Sequence, residues 1–204
     1  MKLIAETLSV MRGERMVVTQ LTFSVDRGEA LLLTGANGAG KTTVLRSLAG
    51  LLRPAGGLIR LEGGQPDRTA QEECHYVGHL NGLKAGLTVE ENASFWCRYL
   101  GGASSDIELA LATFGLAAAR DVPVGYLSAG QRRRLALARL LLAERPIWLL
   151  DEPTVSLDRA SQEILSKVVD RHLEAGGLVV AATHVLLGLA RSRELRIGAA
   201  ALAA

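Results

Sequence analysis

The stretch GANGAGKTT, at residues 35–43, constrains the fold of this chain more than any other feature. It fits the phosphate-binding pattern G-x-x-x-x-G-K-[ST], whose fixed positions are Gly35, Gly40, Lys41 and Thr42. The pattern predicts a loop whose consecutive backbone N–H groups point inward at phosphate oxygens. On this motif alone, a glycine-rich turn before an ordinary helix remains the alternative.

The residues on either side of the loop fit the same interpretation. Residues 30–34 form a short apolar run, which is typical of a buried parallel strand, and residues 44–52 predict a helix ended by Pro54. The amino end of that helix would add its partial positive charge to the loop. We therefore expect a nucleotide's phosphates here, with Lys41 reaching the β- and γ-phosphates and the Thr42 hydroxyl holding Mg²⁺. The remaining phosphate-binding positions are Ala36, Asn37, Gly38, Ala39 and Thr43.

Composition narrows the class of protein. The 204 residues are 49% hydrophobic and carry a net charge of only +2, so a full core is expected and a nucleic-acid partner is not. The two cysteines, Cys74 and Cys97, form no C-x-x-C pair and indicate a reducing compartment. The longest apolar stretch, residues 176–190, is shorter than the ~20 residues of a membrane span, which predicts a soluble or peripheral protein.

Hydrophobic patterning predicts an α/β fold. Predicted strands lie at residues 3–10, 16–25, 57–61, 75–77, 147–150, 178–183 and 194–197, and predicted helices at residues 87–100, 104–114, 131–144 and 159–174. Strands that alternate with helices indicate a mostly parallel sheet with helices on both faces. We expect one domain, with a core lobe at about residues 1–86 and 145–204 and an inserted helical lobe at about residues 87–144.

Two acids end one of these buried strands. Asp151 and Glu152 directly follow residues 147–150. In such sheets the carboxyl end of a strand lies beside the phosphate loop. Asp151 is therefore a candidate Mg²⁺ ligand, and Glu152 a candidate to orient and polarise the attacking water.

A second candidate anion site lies at residues 127–131, LSAGQ. Ser128 and Gln131 have the spacing of a capping box at a helix start. The N–H groups of Ala129 and Gly130, with the Ser128 hydroxyl, would then face an anion. A plain helix cap remains the alternative.

The chain resembles the nucleotide-binding domain of an ABC ATPase in the order of five features. These are GANGAGKTT, LSAGQ, LLDEP, SLD and a histidine after a strand. The resemblance implies a P-loop NTPase fold with an inserted helical lobe, and a head-to-tail dimer of two copies of this chain that encloses two ATP molecules. Residues 35–43 of one copy would face Ser128, Gly130 and Gln131 of the other. It also implies that Glu152 is the catalytic base and that His184 contacts the γ-phosphate. Asp158 would couple the two sites, and the lack of an NKxD motif favours ATP.

Two positions depart from the family pattern. Arg12 occupies the place of the aromatic residue that stacks on adenine, and a guanidinium plane can also stack on a base. His79 occupies the place of the glutamine that links the lobes, where an imidazole can still reach a metal-bound water.

Residues 78–84, GHLNGLK, together with Arg12 and the short chain, resemble the ATP-binding subunits of the cytochrome c maturation system. This implies membrane partners CcmB, CcmC and CcmD, and a peripheral location on the cytoplasmic face of the bacterial inner membrane. The implied work is ATP-driven release of the haem-loaded chaperone CcmE, also described as haem export. An ABC transporter subunit with another cargo and a soluble non-transport ABC ATPase remain alternatives.

Other side chains have two interpretations at this stage. The aromatic and apolar residues after the linking segment either form the helical lobe's own core or line a groove for a membrane partner's helix; they are Leu83, Leu87, Phe95, Trp96 and Tyr99. The arginines at residues 132–134, with Arg139, are expected on a solvated helix face rather than in a phosphate site. His172 is expected at the surface.

Overall fold

The computed structural model describes residues 1–183, 189 and 191–198. Within these, the strands are β1 (Lys2–Arg12), β2 (Arg15–Asp26), β3 (Ala30–Thr34), β4 (Gly56–Glu62), β5 (Cys74–Val77), β6 (Ile147–Asp151), β7 (Leu178–Ala182) and β8 (Ser192–Arg196). The α-helices are α1 (Lys41–Leu48), α2 (Val89–Leu100), α3 (Ser105–Thr113), α4 (Ala129–Ala138) and α5 (Arg159–Glu174).

The chain divides into two compact units. The first consists of Met1–Gly78, Pro146–Pro153 and Val169–Ala204, and the second of His79–Arg145 and Thr154–Val168. The first unit contains both β-sheets of the chain and α1, and the second contains α2, α3 and α4. The assignment of a core lobe and an inserted helical lobe stays a prediction.

The parallel sheet of the first unit has the strand order β5-β6-β7-β3-β8, and every neighbouring pair runs parallel. Three of its strands are almost wholly buried. Strand β7 is apolar throughout, and β3 and β6 are apolar except for their last residue. Parallel strands align their carboxyl ends, so the ends of β3 and β6 lie at one edge of the sheet. The predicted mostly parallel α/β sheet is confirmed for these strands.

The first two strands behave differently from the prediction. Strands β1, β2 and β4 form a separate antiparallel sheet in the order β2-β1-β4. Only two residues connect β1 to β2, and so short a connection permits an antiparallel hairpin but no parallel crossover. The buried faces of both sheets and of α1 share one hydrophobic core, which includes Leu8, Leu33 and Leu45.

The second unit is helical. Thr88 and Glu91 form a capping box at the start of α2, and Ser128 and Gln131 form another at the start of α4. The predicted helix at residues 131–144 was too long, because α4 ends at Ala138 and a 3₁₀ turn, Arg139–Leu141, follows.

Three smaller expectations about helices were wrong. Helix α1 begins at Lys41 and ends at Leu48, so it starts inside the phosphate motif rather than after it. Helix α3 begins at Ser105, one residue after the predicted start at residue 104. Arg133 and Arg139 are 4% and 6% exposed, which places them in the interior instead of on a solvated face.

Candidate nucleotide site

The glycine-rich loop connects β3 to α1 in the first unit, as predicted. Gly35, Gly38 and Gly40 all have left-handed backbones, with φ of 135°, 81° and 105°. The turn is closed by the Ala39 N–H, which donates to the Ala36 carbonyl at 3.1 Å. Phosphate is bound through backbone N–H groups by this arrangement, in which a strand leads through a curled glycine loop into the amino end of a helix.

Close packing explains why two of these positions are glycine. A Cβ on Gly35 would lie 2.4 Å from the carbonyl oxygen of Ile197, and a Cβ on Gly40 would lie 3.0 Å from a methyl of Val18. Gly38 has open space around it, so only its backbone conformation favours glycine there.

Lys41 is the first residue of α1, and only 7% of its surface is exposed. Its Nζ donates to the carbonyl oxygens of Gly35 at 2.8 Å and Ala36 at 3.2 Å. The ammonium group is therefore held within the loop by the loop's own backbone. A buried cation at this point is suited to neutralise phosphate oxygens.

Thr42 and Asp151 meet at the sheet edge. The Thr42 Oγ1 donates to the Asp151 Oδ1 at 2.9 Å, and Asp151 is only 2% exposed. Hydroxyl and carboxylate oxygens are the ligand types that Mg²⁺ prefers. The two predicted metal-binding residues of the first unit are thus in direct contact, and their role as metal ligands stays a prediction.

Glu152 follows β6 with an unusual backbone. Its φ is 45°, and its N–H still donates to the Ala182 carbonyl at 2.8 Å, so the residue is tied to β7. A left-handed conformation in a non-glycine residue is costly and is found most often at functional sites. It turns the chain immediately after Asp151, the last residue of β6.

The β1–β2 hairpin reaches the same loop. The side chain of Val17 comes within 3.1 Å of the position a Gly40 Cβ would occupy, and its carbonyl oxygen within 3.3 Å. Arg12 ends β1 and pairs with Arg15 across the hairpin. The hairpin end that carries Arg12 therefore lies close to the phosphate loop in the first unit.

The LSAGQ segment starts α4 in the second unit. The Ser128 Oγ accepts from the Gln131 N–H at 3.1 Å, and the Gln131 Oε1 accepts from the Ser128 N–H at 2.8 Å. The predicted capping box is confirmed. It orients the first turn, which leaves Ala129 and Gly130 N–H groups at the helix amino end for an anion.

The SLD segment contacts this helix start within the second unit. Ser156 has φ of 67°, and its carbonyl oxygen lies 2.9 Å from where a Gly130 Cβ would be. Asp158 accepts from the Ser161 N–H at 2.8 Å, which caps α5. The hydrogen bonds from Ser161 also lower the pKa of Asp158.

His79 and His184 are the remaining predicted site residues. His79 is an exposed residue at the start of the second unit, and its proposed role near a metal stays a prediction. His184 lies outside the described residues. Among the residues that the structure describes, no group of three or more His, Cys, Asp or Glu side chains is arranged to hold a metal by itself.

A set of partly or fully buried polar side chains in the second unit was not predicted from the sequence. Trp96 Nε1 donates to the Gly82 carbonyl at 3.1 Å, and Arg139, stacked 4.1 Å over the Trp96 ring, donates to the Asn81 carbonyl. Burial lowers the pKa of Arg139 to about 10. The signal for burial was present, because Arg139 interrupts an otherwise apolar run, residues 135–143.

Asn92 completes this set. It is 2% exposed, its Oδ1 accepts from the Lys84 N–H at 2.9 Å, and its Nδ2 donates to the carbonyls of Lys84, Leu87 and Thr88. Together Asn92, Trp96 and Arg139 fix the segment at residues 81–88.

An exposed aromatic surface lies on α2, and we call Phe95 and Tyr99 the aromatic patch. Their side chains are 42% and 73% exposed, and the two rings stack with centroids 6.2 Å apart. Of the two interpretations of Phe95 and Tyr99, the second unit's own core is therefore wrong. Large exposed apolar groups on a rigid surface are typical of interaction sites.

His172 differs from its expected place at the surface. Its imidazole stacks on Trp148 with ring centroids 3.7 Å apart and planes 7° from parallel. Burial lowers the pKa of His172 to about 4. The pair lies where α5 ends and β6 begins, at the opposite end of β6 from Asp151.

Comparison with known proteins agrees with this geometry. The sequence profile of the family described as ABC transporter matches residues 18–155. The chain is 54% identical over 194 residues to the cytochrome c biogenesis ATP-binding export protein CcmA of Rhodopseudomonas palustris (strain BisB5), covering 95% of this chain and 96% of that one. It is 52% identical over 201 residues to the protein of the same name from Bradyrhizobium diazoefficiens, covering 98% and 100%.

The fold also has a solved counterpart. A structure described as the ATP-binding subunit of an ABC transporter superposes with a TM-score of 0.84 at 25% identity, over 98% of this chain and 89% of that one. In the described residues, no helix is long and apolar enough to cross a membrane.

Proposed function

Because the chain belongs to the ABC transporter family, we propose that it is the ATP-hydrolysing subunit of the ABC complex for c-type cytochrome biogenesis. The relatives that are about half identical over nearly the whole chain carry that function in their names. The single structural observation that carries the ATPase assignment is the buried Lys41 inside a left-handed glycine loop, next to the Thr42–Asp151 contact.

The proposed reaction is in-line attack of water on the γ-phosphate of ATP. Lys41 and the loop N–H groups stabilise negative charge on the phosphate oxygens, which is the main source of catalysis in phosphoryl transfer. Glu152 accepts a proton from the attacking water, and His184 contacts the γ-phosphate. Thr42 and Asp151, with His79 through a water, would hold Mg²⁺, whose chemistry is to neutralise charge on the phosphates.

ABC subunits act as dimers, and we infer a head-to-tail arrangement for this one. Residues 35–43 of one copy face Ser128, Gly130 and Gln131 of the other across each ATP. The formed capping box supports this, because it presents the first-turn N–H groups of α4. Asp158, beside that helix start, would couple the two sites.

The membrane partners are the second part of the proposal. We infer that subunits corresponding to CcmB, CcmC and CcmD bind the chain at the cytoplasmic face of the inner membrane, and that hydrolysis drives release of haem-loaded CcmE. The aromatic patch of the second unit is the surface we assign to a membrane subunit. What supports this is its exposure and the rigid segment held by Asn92, Trp96 and Arg139.

The test is a Glu152→Gln allele in the organism that carries the gene, with membrane proteins stained for covalently attached haem. We expect the c-type cytochrome bands to disappear while the protein is still made and found with the membranes. The matched control is Glu163→Gln, an exposed acid on α5, which should leave the bands unchanged. Unchanged bands in the Glu152 variant, in a strain without a second gene copy, would remove the cytochrome assignment.

A further inference from the structure

Asn81 is held by two buried arginines of the second unit. Its side-chain Oδ1 accepts a hydrogen bond from the Arg133 guanidinium at 3.2 Å, and its backbone carbonyl accepts one from Arg139. The two arginines are 4% and 6% exposed. A hydrogen bond from a charged donor is about twice as strong as one between neutral groups. Both the side chain and the backbone of Asn81 are therefore tied to α4 and the 3₁₀ turn that follows it.

The next residue, Gly82, is packed just as closely. Its φ is 64°, and a Cβ there would lie 3.2 Å from the Trp96 ring and 3.4 Å from the Arg139 guanidinium. Its carbonyl oxygen accepts from Trp96 Nε1 at 3.1 Å. Glycine suits this position because it adopts a left-handed backbone without strain and leaves room for both neighbours. The chain at Asn81 and Gly82 is thus fixed in one conformation.

A second set of contacts joins the same segment to the residues just before LSAGQ. The Gly125 N–H donates to the Ala85 carbonyl at 2.9 Å, and Thr88 pairs with Pro123 in an antiparallel bridge. LSAGQ begins two residues after Gly125. Residues 81–88 therefore contact the chain on both sides of LSAGQ, before it through this pairing and after it through α4.

We propose that Asn81 is a positioning residue for ATP hydrolysis, and that its hydrogen bond with Arg133 sets how the Ser128 hydroxyl and the first-turn N–H groups of α4 face the phosphates. This inference rests on the proposed function. Arg133 follows Ser128 by five residues, about 7 Å of helix, and follows Gln131 of the capping box by two. Because a binding group must be held within about 0.5 Å of its productive position, a support this close to the helix start affects it.

The charges of the two arginines explain why a neutral acceptor matters here. Burial, and after it the charge of Arg133, lower the pKa of Arg139 to about 10. Two buried cations that are close enough to affect each other in this way repel. Asn81 offers one oxygen to each guanidinium and so offsets the repulsion at both. Without its Oδ1, we expect Arg133 to move away from Arg139 and to shift α4.

The experiment compares ATP hydrolysis, ATP binding and, in a Glu152→Gln background, ATP-driven dimer formation. Asn81→Ala removes the Oδ1 and keeps the backbone carbonyl, so we expect turnover and dimer formation each to weaken about tenfold, the scale of one charge-assisted hydrogen bond. ATP binding to the phosphate loop should be unchanged. Asn81→Asp keeps an oxygen for Arg133 and should retain most of the turnover. Ser104→Ala, which removes an exposed hydroxyl without a capping hydrogen bond, is the matched control.

Three results would overturn the proposal. The first is unchanged turnover in Asn81→Ala, and the second is an equal loss in Asn81→Asp, which would show that the Oδ1 hydrogen bond does not position α4. The third is a loss of turnover that matches a smaller folded fraction in denaturant unfolding, because Asn81 would then act on stability alone. Lys41→Ala reports on the proposed function separately: if it binds ATP normally, the phosphate site itself is wrong, whatever the Asn81 variants do.

Discussion

The Thr42 hydroxyl donates to the Asp151 carboxylate at 2.9 Å, and this contact joins the start of α1 to the end of β6 across 109 residues of sequence. Both side chains belong to the first unit, and Asp151 is almost fully buried. Carboxylate and hydroxyl oxygens are the ligands that a hard cation prefers. The contact brings together the two residues to which we assign Mg²⁺.

We therefore expect ATP hydrolysis to require a higher Mg²⁺ concentration in Asp151→Asn and in Thr42→Val. The amide loses the negative charge and the valine loses the oxygen, so each variant should need at least about tenfold more Mg²⁺ for half-maximal hydrolysis. Titration of activity with Mg²⁺ at fixed ATP measures this. Thr42→Ser keeps the hydroxyl and is the control. An unchanged Mg²⁺ midpoint in both variants would contradict the assignment.

Glu152→Gln should separate binding from chemistry. The amide cannot accept a proton, so turnover should fall about 10²-fold or more, the usual range for a lost general base, while ATP still binds. Single-turnover hydrolysis and equilibrium binding measure the two effects. Glu152→Asp, which shortens the side chain but keeps a base, should retain more activity. Near-normal turnover in the glutamine variant would exclude Glu152 as the base.

Gly35→Ala and Gly38→Ala distinguish packing from backbone conformation. Both glycines have left-handed φ, but only the Gly35 Cβ would meet a backbone atom, at 2.4 Å from the Ile197 oxygen. Gly38→Ala should cost the folded protein about 1–2 kcal/mol from strain alone. Gly35→Ala should cost more, because the backbone at Ile197, just after β8, must move. Denaturant unfolding compares them, and equal costs would mean that strain alone explains both glycines.

The central sheet and the phosphate loop were predictable because their signals are local. A short apolar run such as Ala30–Thr34 followed by the glycine motif predicted a strand and a phosphate loop, although the helix itself begins earlier than expected, at Lys41. To predict that Asp151 lies near Thr42, one further rule was needed: parallel strands end at the same edge of a sheet.

The features that were missed depend on contacts between distant segments. Arg139 was expected on a solvated face because the net charge is small, yet Trp96 and the Asn81 carbonyl together compensate its burial. His172 was expected at the surface, and its stacking partner Trp148 lies on a strand that precedes it by more than twenty residues. No periodicity within one element encodes either partner.

The separate antiparallel sheet was missed for a different reason. Strands β1 and β2 mix polar with apolar residues, whereas β3, β6 and β7 are almost wholly apolar, and strand propensity alone does not use that difference. The two-residue connection at Gly13 and Glu14 was a second available signal. The same hairpin then placed Arg15 beside Arg12, which composition could not indicate.

The stacked pair of His172 and Trp148 should make stability depend on acid. Burial holds the pKa of His172 near 4 in the folded protein, against 6.5 for an exposed imidazole. Above pH 6.5 the ring is neutral in both states and the folded protein has its full stability. As pH falls toward 4, the unfolded chain binds a proton that the folded one does not, so stability falls.

The loss should be at most about 3 kcal/mol between pH 6.5 and 4, at ~1.4 kcal/mol per pH unit, and smaller to the extent that water reaches the ring. Unfolding in denaturant at pH 7, 5.5 and 4.5 measures it, with His172→Phe and His172→Gln as non-titrating variants. Gly177 packs against the imidazole edge, so both variants are expected to be less stable at pH 7. Their stability should nevertheless decline less steeply with acid than that of the parent. Parallel declines in all three proteins would mean that the pKa of His172 is the same in the folded and the unfolded chain, so that its stack on Trp148 does not resist protonation.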